Sequence, residues 1–542
     1  MITGVYLLSS RVDIMNIDAA QYASMSREML QNGHYLELYD RGKDYLDKPP
    51  MLFWITSQSM RLFGINNFAY KFPSVLFALL AAFCTFRLAA LFYSRRIALL
   101  SALVLASSQA LFLITNDVRT DTMLMGWVAL ALWQLAAWMQ QRRWLQLFIA
   151  FVAMGCGMLT KGPIAIMVPA FAFGVHLLLK RDFKQIFRWE YLLGILIIAV
   201  VLTPFCIGLY RQFDLHPEKI MYGRSGTSGI RFFLWTQSFG RITGESTWNN
   251  GAGFFFQLQN LLWGFLPWII FFLAALVWQV KELVMQRFRL KENQEWITTG
   301  GFILTYCAVA SSHYQLPHYI YVALPLAAIM TARFLNDLLF EERFAGLFAF
   351  LYPFHLVILS LLWLAAIVLS VWPFPQMSAV ALAWNLVGVL GFAVLCTQKK
   401  ITRRLRLLLG CIYSMIGINI FLSGWFYPAL LQYQWGSVAG KVVKQAAVPP
   451  GHMLAYRAPV SWALCFYAQQ NIKEEADPSA IPPGYWIMTD STGLSMMKEK
   501  GPVQIIFKGV DYKVQSLSLK FLDPARRPSQ LKHYFIAKIS DQ

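Results

Sequence analysis

Residues 68–93 read FAYKFPSVLFALLAAFCTFRLAALFY. They run into Ser94-Arg95-Arg96, then IALLSALVLASSQALFLIT (97–115), then the polar stretch NDVRTD (116–121). Each apolar run approaches the about 20 residues that a helix needs to cross a bilayer. One connection is short and basic, and the next holds two aspartates and an arginine. Working outward in both directions, the same alternation recurs. Twelve spans are expected: 68–93, 97–115, 122–140, 144–160, 163–179, 191–211, 257–280, 297–312, 318–336, 346–372, 378–397 and 405–426. A stub at 1–10 makes a thirteenth. It is too short to cross alone, shows no cleavable signal pattern, and suggests a first helix that begins upstream.

The loops fall into two sets. Ser94–Arg96, Gln141–Arg143, Lys180–Arg188, Lys281–Lys291, Arg333–Arg343 and Gln398–Arg406 are basic. The alternate connections are 116–121, 160–163, 212–256, 312–318 and 373–377. The positive-inside rule places the basic set in the cytoplasm. Residues 11–67 and the polar tail then lie outside, on the periplasmic face of a bacterial inner membrane. Nearly every side chain able to do chemistry is on that outer side, where no nucleotide is available.

Composition agrees. The 542 residues are 57% hydrophobic and only 14% charged, with net charge +19 and mean hydropathy +0.48. Soluble domains carry roughly a quarter charged residues. The positive surplus lies in short loops beside apolar spans, where it sets topology and meets anionic lipid heads; it does not indicate nucleic acid. The seven cysteines include no CxxC pair, which argues against a disulfide framework and a cysteine zinc site. P-loop, GxGxxG and GxSxG patterns are absent.

The expected architecture is a polytopic α-helical membrane domain, 1–428, followed by a small outer α/β domain, 429–542. Within the first, the outer loop 11–67 carries two amphipathic helices, Ala20–Leu30 and Met51–Phe63, suited to the membrane interface. In the tail, YWIMTD, VQIIFK and HYFIAKI read as strands after a helical VAGKVVKQAA.

Several outer residues have both a chemical and a structural reading. Asp18 could take a proton from an acceptor hydroxyl or cap the helix behind it. Asp121, at the mouth of a span, could be functional or a cap with Arg119 as its local partner. Lys48, Lys161 and Arg241 suit a phosphate, while lysines also snorkel. His313 and His318, in HYQLPHY, could hydrogen-bond a phosphate or sugar. With an acidic partner they could ligate a metal.

Residues 18–30, Asp-Ala-Ala-Gln-Tyr-Ala-Ser-Met-Ser-Arg-Glu-Met-Leu, followed by Tyr45-Leu46-Asp47-Lys48-Pro49-Pro50, resemble the first outer loop of glycosyltransferase family 39-like enzymes. That group includes protein O-mannosyltransferases and the aminoarabinose transferases that modify lipid A. Asp121, Thr160-Lys161-Gly162, Phe239-Gly240-Arg241 and Leu316–Tyr319 follow in matching order, so the resemblance covers about 11–335. It implies a GT-C fold of thirteen spans, two interfacial helices and an outer domain. It also implies an undecaprenyl-type polyprenyl-phosphate sugar donor, with lipid A or a protein as acceptor. Asp18 and Asp121 then match catalytic positions. Lys48, Arg241 and Lys161 match the donor phosphate site, and Tyr22, Tyr45, Asp47, His313, His318 and Tyr319 the substrate pocket. A phosphate leaving group requires no metal in principle, and a divalent ion is compatible with it. The chain departs from the pattern at Ala19, Gln21, Asp47 and Gln237-Ser238, where many members have Glu, Arg, Glu and Glu-His. A transporter of lipid-linked sugar is the rival from another class. It calls for charges near the middle of several spans and a repeat, and a polysaccharide ligase would differ mainly in acceptor.

Overall fold

Within a bilayer every backbone polar group must find an internal partner, and the helix is the structure that supplies one locally. The structure, a computed structural model, describes residues 1–245, 248–291 and 294–540. Residues 541–542 of the expected outer domain, and 246–247 in the long outer loop, lie outside that set. All twelve expected segments are helical. Eight helices among the described residues are long and apolar enough to cross a membrane: Asn67–Phe92, Thr120–Gln141, Trp144–Lys161, Phe183–Asp214, Pro317–Leu339, Ala345–Val371, Ala379–Thr397 and Arg403–Leu431. Arg95–Ala106 and Gln109–Asn116, bent by 48° at Ser107-Ser108, form a ninth if taken together. Ile164–Lys180 and Ile297–Ala310 are apolar but shorter. The expected span 257–280 is broken into Phe256–Gly264 and Ile269–Met285. The break falls at Pro267, whose missing N–H cannot join the helical ladder. The stub at 1–10 is one short helix, Ile2–Ser9.

We label the elements that carry the site α1 (Ile2–Ser9), α2 (Asp18–Asn32), α3 (Met51–Phe63), α4 (Asn67–Phe92), α5 (Arg95–Ala106), α6 (Gln109–Asn116), α7 (Thr120–Gln141) and α8 (Trp144–Lys161). α7 is the buried centre, packed between α4 and α8. Gly126 makes the α4 approach close: a Cβ there would lie 2.7 Å from a ring carbon of Phe77. Small residues at such crossings let membrane helices pack backbone to backbone.

Both amphipathic helices of the first loop form, as α2 and α3. Between them Asp40 and Lys43 pair across a tight hairpin. Arg41 and Gly42 both take positive φ there, the conformation a two-residue turn demands. Glu28 of α2 accepts from the backbone N–H of both turn residues at 2.8 Å.

The outer domain holds a five-stranded sheet in the order Lys473–Glu474, Met453–Ala455, Trp486–Asp490, Lys532–Ile539, Val503–Asp511. The first three strands are parallel and the last two pairings antiparallel. Alternation along the strands buries Met488 and Ile536 on one face and Ile487 and Ala537 on the other. The expected strands and the helix Trp435–Gln445 are present. The two short parallel strands, Met453–Ala455 and Lys473–Glu474, are additional.

This domain clamps the chain just before α2. Tyr467 accepts from the Ile14 N–H at 2.7 Å, and Gln434 accepts from the Asn16 N–H at 2.8 Å while donating to the Ile14 carbonyl at 2.9 Å. Next to Gln434, Tyr433 Oη accepts from buried Arg527 at 2.7 Å, and Arg527 also donates to the Phe521 carbonyl at 2.9 Å and to the Pro373 carbonyl. Its guanidinium also lies 4.8 Å over the Phe374 ring. Arg527→Ala strands several buried acceptors, at a cost on the order of 2–4 kcal/mol. Thermal unfolding of the full-length protein should show a melting temperature several degrees lower. An unchanged melting temperature would remove Arg527 as the tie between domain and membrane ends.

Candidate active site

The charged residues sit at helix ends. Asp18 is the first residue of α2, Asp121 the second of α7, Lys161 the last of α8, and His318 the second of Pro317–Leu339. Neither aspartate caps its helix: the N-cap positions are Ile17 and Arg119, and no side chain bonds to the helix start. Arg119 does not pair with Asp121. It turns to Asp18, 101 residues away in sequence, and to Asp117 at 3.0 Å. Asp121 is instead buried against Lys161, with His318 Nε2 at 3.5 Å from its other oxygen.

Lys48 is fixed by the extended backbone ahead of Pro49-Pro50 and pairs with Asp47 at 2.9 Å. Arg241 reaches the same carboxylate at 3.8 Å. Two cations therefore share one carboxylate. The Gln237 amide donates to the Asp47 carboxylate and to its carbonyl, and its oxygen accepts from Arg241 at 3.0 Å. Tyr319 Oη accepts from the other Arg241 nitrogen at 2.9 Å, while Lys161 lies 3.8 Å over the Tyr319 ring. Arg241 Nε is buried with no hydrogen-bond partner among the described residues. Burial opposes charge on Asp47, but Lys48, Arg241 and Gln237 outweigh it and hold the carboxyl below the usual carboxylate range. Burial likewise opposes charge on Lys48, yet Asp47 holds the ammonium above the ordinary lysine value.

These groups line two adjoining cavities. A polar one of roughly 150 Å³ is walled by Asp18, Asp47, Lys48, Arg119, Asp121, Lys161 and Arg241, four cations against three carboxylates, with Tyr22, His318 and Tyr319 beside them. An apolar one of roughly 110 Å³ reaches among Leu124, Ile164, Met167 and Val309. Lys48, Lys161, Arg241 and Tyr319 line both. The cations thus stand at a boundary between an apolar slot and a polar chamber, and only the chamber contains Asp18.

Two of the expected pocket residues are placed elsewhere. Tyr45 is buried behind the chamber, edge-on to Phe53 at 6.2 Å. His313 contributes its backbone, donating to the Arg241 carbonyl at 3.1 Å and accepting from Asn250 at 3.2 Å, and the residue is exposed. Among the described residues no three His, Cys, Asp or Glu side chains gather as a metal site, so the histidines do not converge on a common ion. The chamber also recruits Arg119, Trp248 and Tyr314, which the sequence did not single out as site residues. Arg241 lies over the last two rings at 5.0 and 5.2 Å. The DVRTD pattern, a cation between two acids, was the available signal for Arg119. The aromatic pair carried none.

The class that this fold and site define is a multi-pass membrane protein of the GT-C fold with a charged cleft at the ends of its helices. Residues 47–207 match the family model described as dolichyl-phosphate-mannose-protein mannosyltransferase. The undecaprenyl phosphate-alpha-4-amino-4-deoxy-L-arabinose arabinosyl transferase of Photorhabdus laumondii is 27% identical over 322 residues, 58% of this chain and 54% of that one. Its namesake from Erwinia tasmaniensis is 31% identical over 260 residues, 46% and 44%. The chain spans about half the length of these curated relatives. The crystal structure of ArnT from Cupriavidus metallidurans bound to undecaprenyl phosphate shares the fold, with a TM-score of 0.75 at 17% identity over 100% of this chain and 97% of that one. The apo form gives 0.73 at 17% identity, over 99% and 96%.

The Asp47–Lys48 pair predicts a flat pH response. Asp47, with a lowered pKa, adds stability that is complete above about pH 5 and is lost as pH falls through that lowered value. Lys48, with a raised pKa, adds stability that is complete below about pH 9 and is lost as pH rises through its raised value. Asp47→Asn should therefore lower the melting temperature by the same amount across about pH 5–9. A difference that vanishes inside that window would contradict the pairing.

Proposed function

We propose that the protein is a glycosyltransferase of the bacterial inner membrane with its active site facing the periplasm. It would move a sugar from undecaprenyl phosphate, most simply 4-amino-4-deoxy-L-arabinose, to lipid A. The observation that carries this proposal is the shared carboxylate. Lys48 and Arg241 have one Asp47 between them, Arg241 keeps a buried N–H without a partner among the described residues, and both face an apolar slot suited to a prenyl tail. A phosphate at that boundary would supply the missing negative charge. The named activity of the relatives and the undecaprenyl phosphate bound by ArnT support the same donor.

The step is a single displacement. The acceptor oxygen forms a bond to the anomeric carbon as the bond from that carbon to the phosphate oxygen breaks. The electron pair leaves with undecaprenyl phosphate, and the acceptor proton passes to Asp18, held in place by Arg119. Lys48 and Arg241 stabilise the departing phosphate electrostatically, so the mechanism requires no metal. The orientation is supported by α7 and α8, whose site ends, Thr120 and Lys161, are opposite the basic Arg142-Arg143 turn. A transporter reading asked for charges near the middle of spans, whereas Asp18, Asp121 and Lys161 lie at helix ends.

Mass spectrometry of lipid A and of envelope glycoproteins, with and without the gene, tests the proposal. A sugar-sized mass should vanish from lipid A on deletion. Asp18→Asn at normal protein levels should cut transfer by about 10²–10⁴-fold, and Lys48→Ala by about 10²–10³-fold. Loss of sugar from proteins instead would reassign the acceptor. Unchanged lipid A and glycoproteins, with lipid-linked sugar accumulating on one leaflet, would replace transfer by transport.

A further inference from the structure

A cavity of roughly 560 Å³ lies where the five-stranded domain meets the last two membrane-length helices, Ala379–Thr397 and Arg403–Leu431. It shares no lining residue with the charged chamber or the apolar slot. One wall is the connection 374–378, a second is the end of Arg403–Leu431 around Gly424 and Trp425, and a third is Val510 and Arg527 of the domain. The volume is within the roughly 300–1,000 Å³ of ordinary ligand sites.

Arg527 is the one charged residue of this lining, and its charge is unanswered. Its hydrogen-bond partners are all neutral: the Tyr433 hydroxyl and the carbonyls of Phe521, Pro373 and Leu522. The rings of Phe374, Tyr433 and Phe521 surround it at 4.8, 5.1 and 5.3 Å. A guanidinium has five N–H donors, and these bonds use four. One Nη1 N–H is left without a partner among the described residues. The neighbouring carboxylates are engaged elsewhere. Asp523 faces Arg526 at 3.5 Å, and Asp511 accepts from the Trp435 N–H at 3.1 Å. A buried cation with no counter-charge is costly, and a phosphate oxygen would supply both the charge and the missing acceptor.

The surroundings indicate where such a phosphate comes from. Trp425 lies 6.1 Å from Trp384, and Trp384 and Trp372 are exposed. Tryptophans at helix ends settle at the level of lipid headgroups. Val380, Val387, Leu390 and Val394 are exposed along Ala379–Thr397, spaced so that they share one helix face. That strip suits an acyl chain. A zwitterionic head would bring an ammonium into a lining that holds no carboxylate. We propose that this cavity holds the head of an anionic glycerophospholipid, phosphatidylglycerol in its chemistry, with the phosphodiester on Arg527 and an acyl chain along the strip. The lipid joins the domain to the helix ends, alongside the direct bonds that Arg527 makes. The proposal is independent of the transferase reading.

The test is thermal unfolding of the delipidated full-length protein in nanodiscs of phosphatidylcholine, alone or mixed with phosphatidylglycerol or phosphatidylethanolamine. Phosphatidylglycerol should raise the melting temperature by a few degrees, as a ligand of the folded state does, and phosphatidylethanolamine should not. Gly424→Leu fills the cavity, since no atom outside its own helical backbone lies within 4 Å of a Cβ there. It should keep the wild-type melting temperature in phosphatidylcholine and lose the phosphatidylglycerol increment. Arg527→Gln, whatever its own melting temperature, should lose the increment too. Absence of the increment in the wild type would overturn the proposal. So would an increment that phosphatidylethanolamine matches or that Gly424→Leu retains. Removal of the wild-type increment by added undecaprenyl phosphate or lipid A would give the cavity to another lipid and overturn the assignment as well.

Discussion

Two cations divided over one carboxylate set the terms for the rest of the molecule. Asp47 lies between Lys48 and Arg241 at a boundary where one side is apolar. Charges at such a depth are costly unless paired. The pairing leaves a local positive surplus, which is the basis of the donor-phosphate proposal. Arg119, with Asp18 and Asp117, and Lys161, with Asp121, are each matched within the protein. The surplus is therefore confined to the place where an apolar slot opens, and Asp18 lines the chamber but not the slot.

Holding that arrangement requires elements distant in sequence to meet at helix ends. α7 brings Asp121, α8 brings Lys161, the first loop brings Asp18 and Lys48, and the long outer loop brings Arg241. The outer domain fixes the first loop from above. Trp462 donates to Asp40 at 2.8 Å, and Asp40 accepts from Gln21, a chamber residue, at 2.8 Å. With the bonds to Ile14 and Asn16, the domain constrains both sides of Asp18. It holds the first loop in place through these bonds, and its own two sheet faces are each buried.

The spans, the two amphipathic helices and the outer-domain strands were legible because each announces itself within one window of sequence. Hydropathy over 20 residues, or alternation over six, is local information. What was not legible depended on distance. Asp18 and Asp121 each precede a helical run, and a cap was a fair local reading. Only the fold shows that Arg119 crosses to Asp18 and that Lys161 takes Asp121. His313 and His318, five residues apart, looked like a pair. The backbone bonds of His313 to Arg241 and Asn250 separate their roles. Pro267 broke a segment whose apolar composition alone suggested one continuous span.

The departures from the related first-loop and arginine motifs also acquire a physical sense as a coupled pair. In the enzymes that this chain resembles, a Glu is common at position 47, and the residue at position 237 in the lipid A enzymes is also acidic. Here Asp47 is one methylene shorter, and Gln237 closes the gap by donating to its carboxylate and carbonyl while accepting from Arg241. A Glu at 237 would put a second carboxylate against Asp47 and cancel the local positive surplus. An Asp at 47 without the Gln amide would lose one of the partners that keep it ionised. Asp47 and Gln237 thus act on Arg241 as one unit, and a change at either alone alters the charge that Lys48 and Arg241 share.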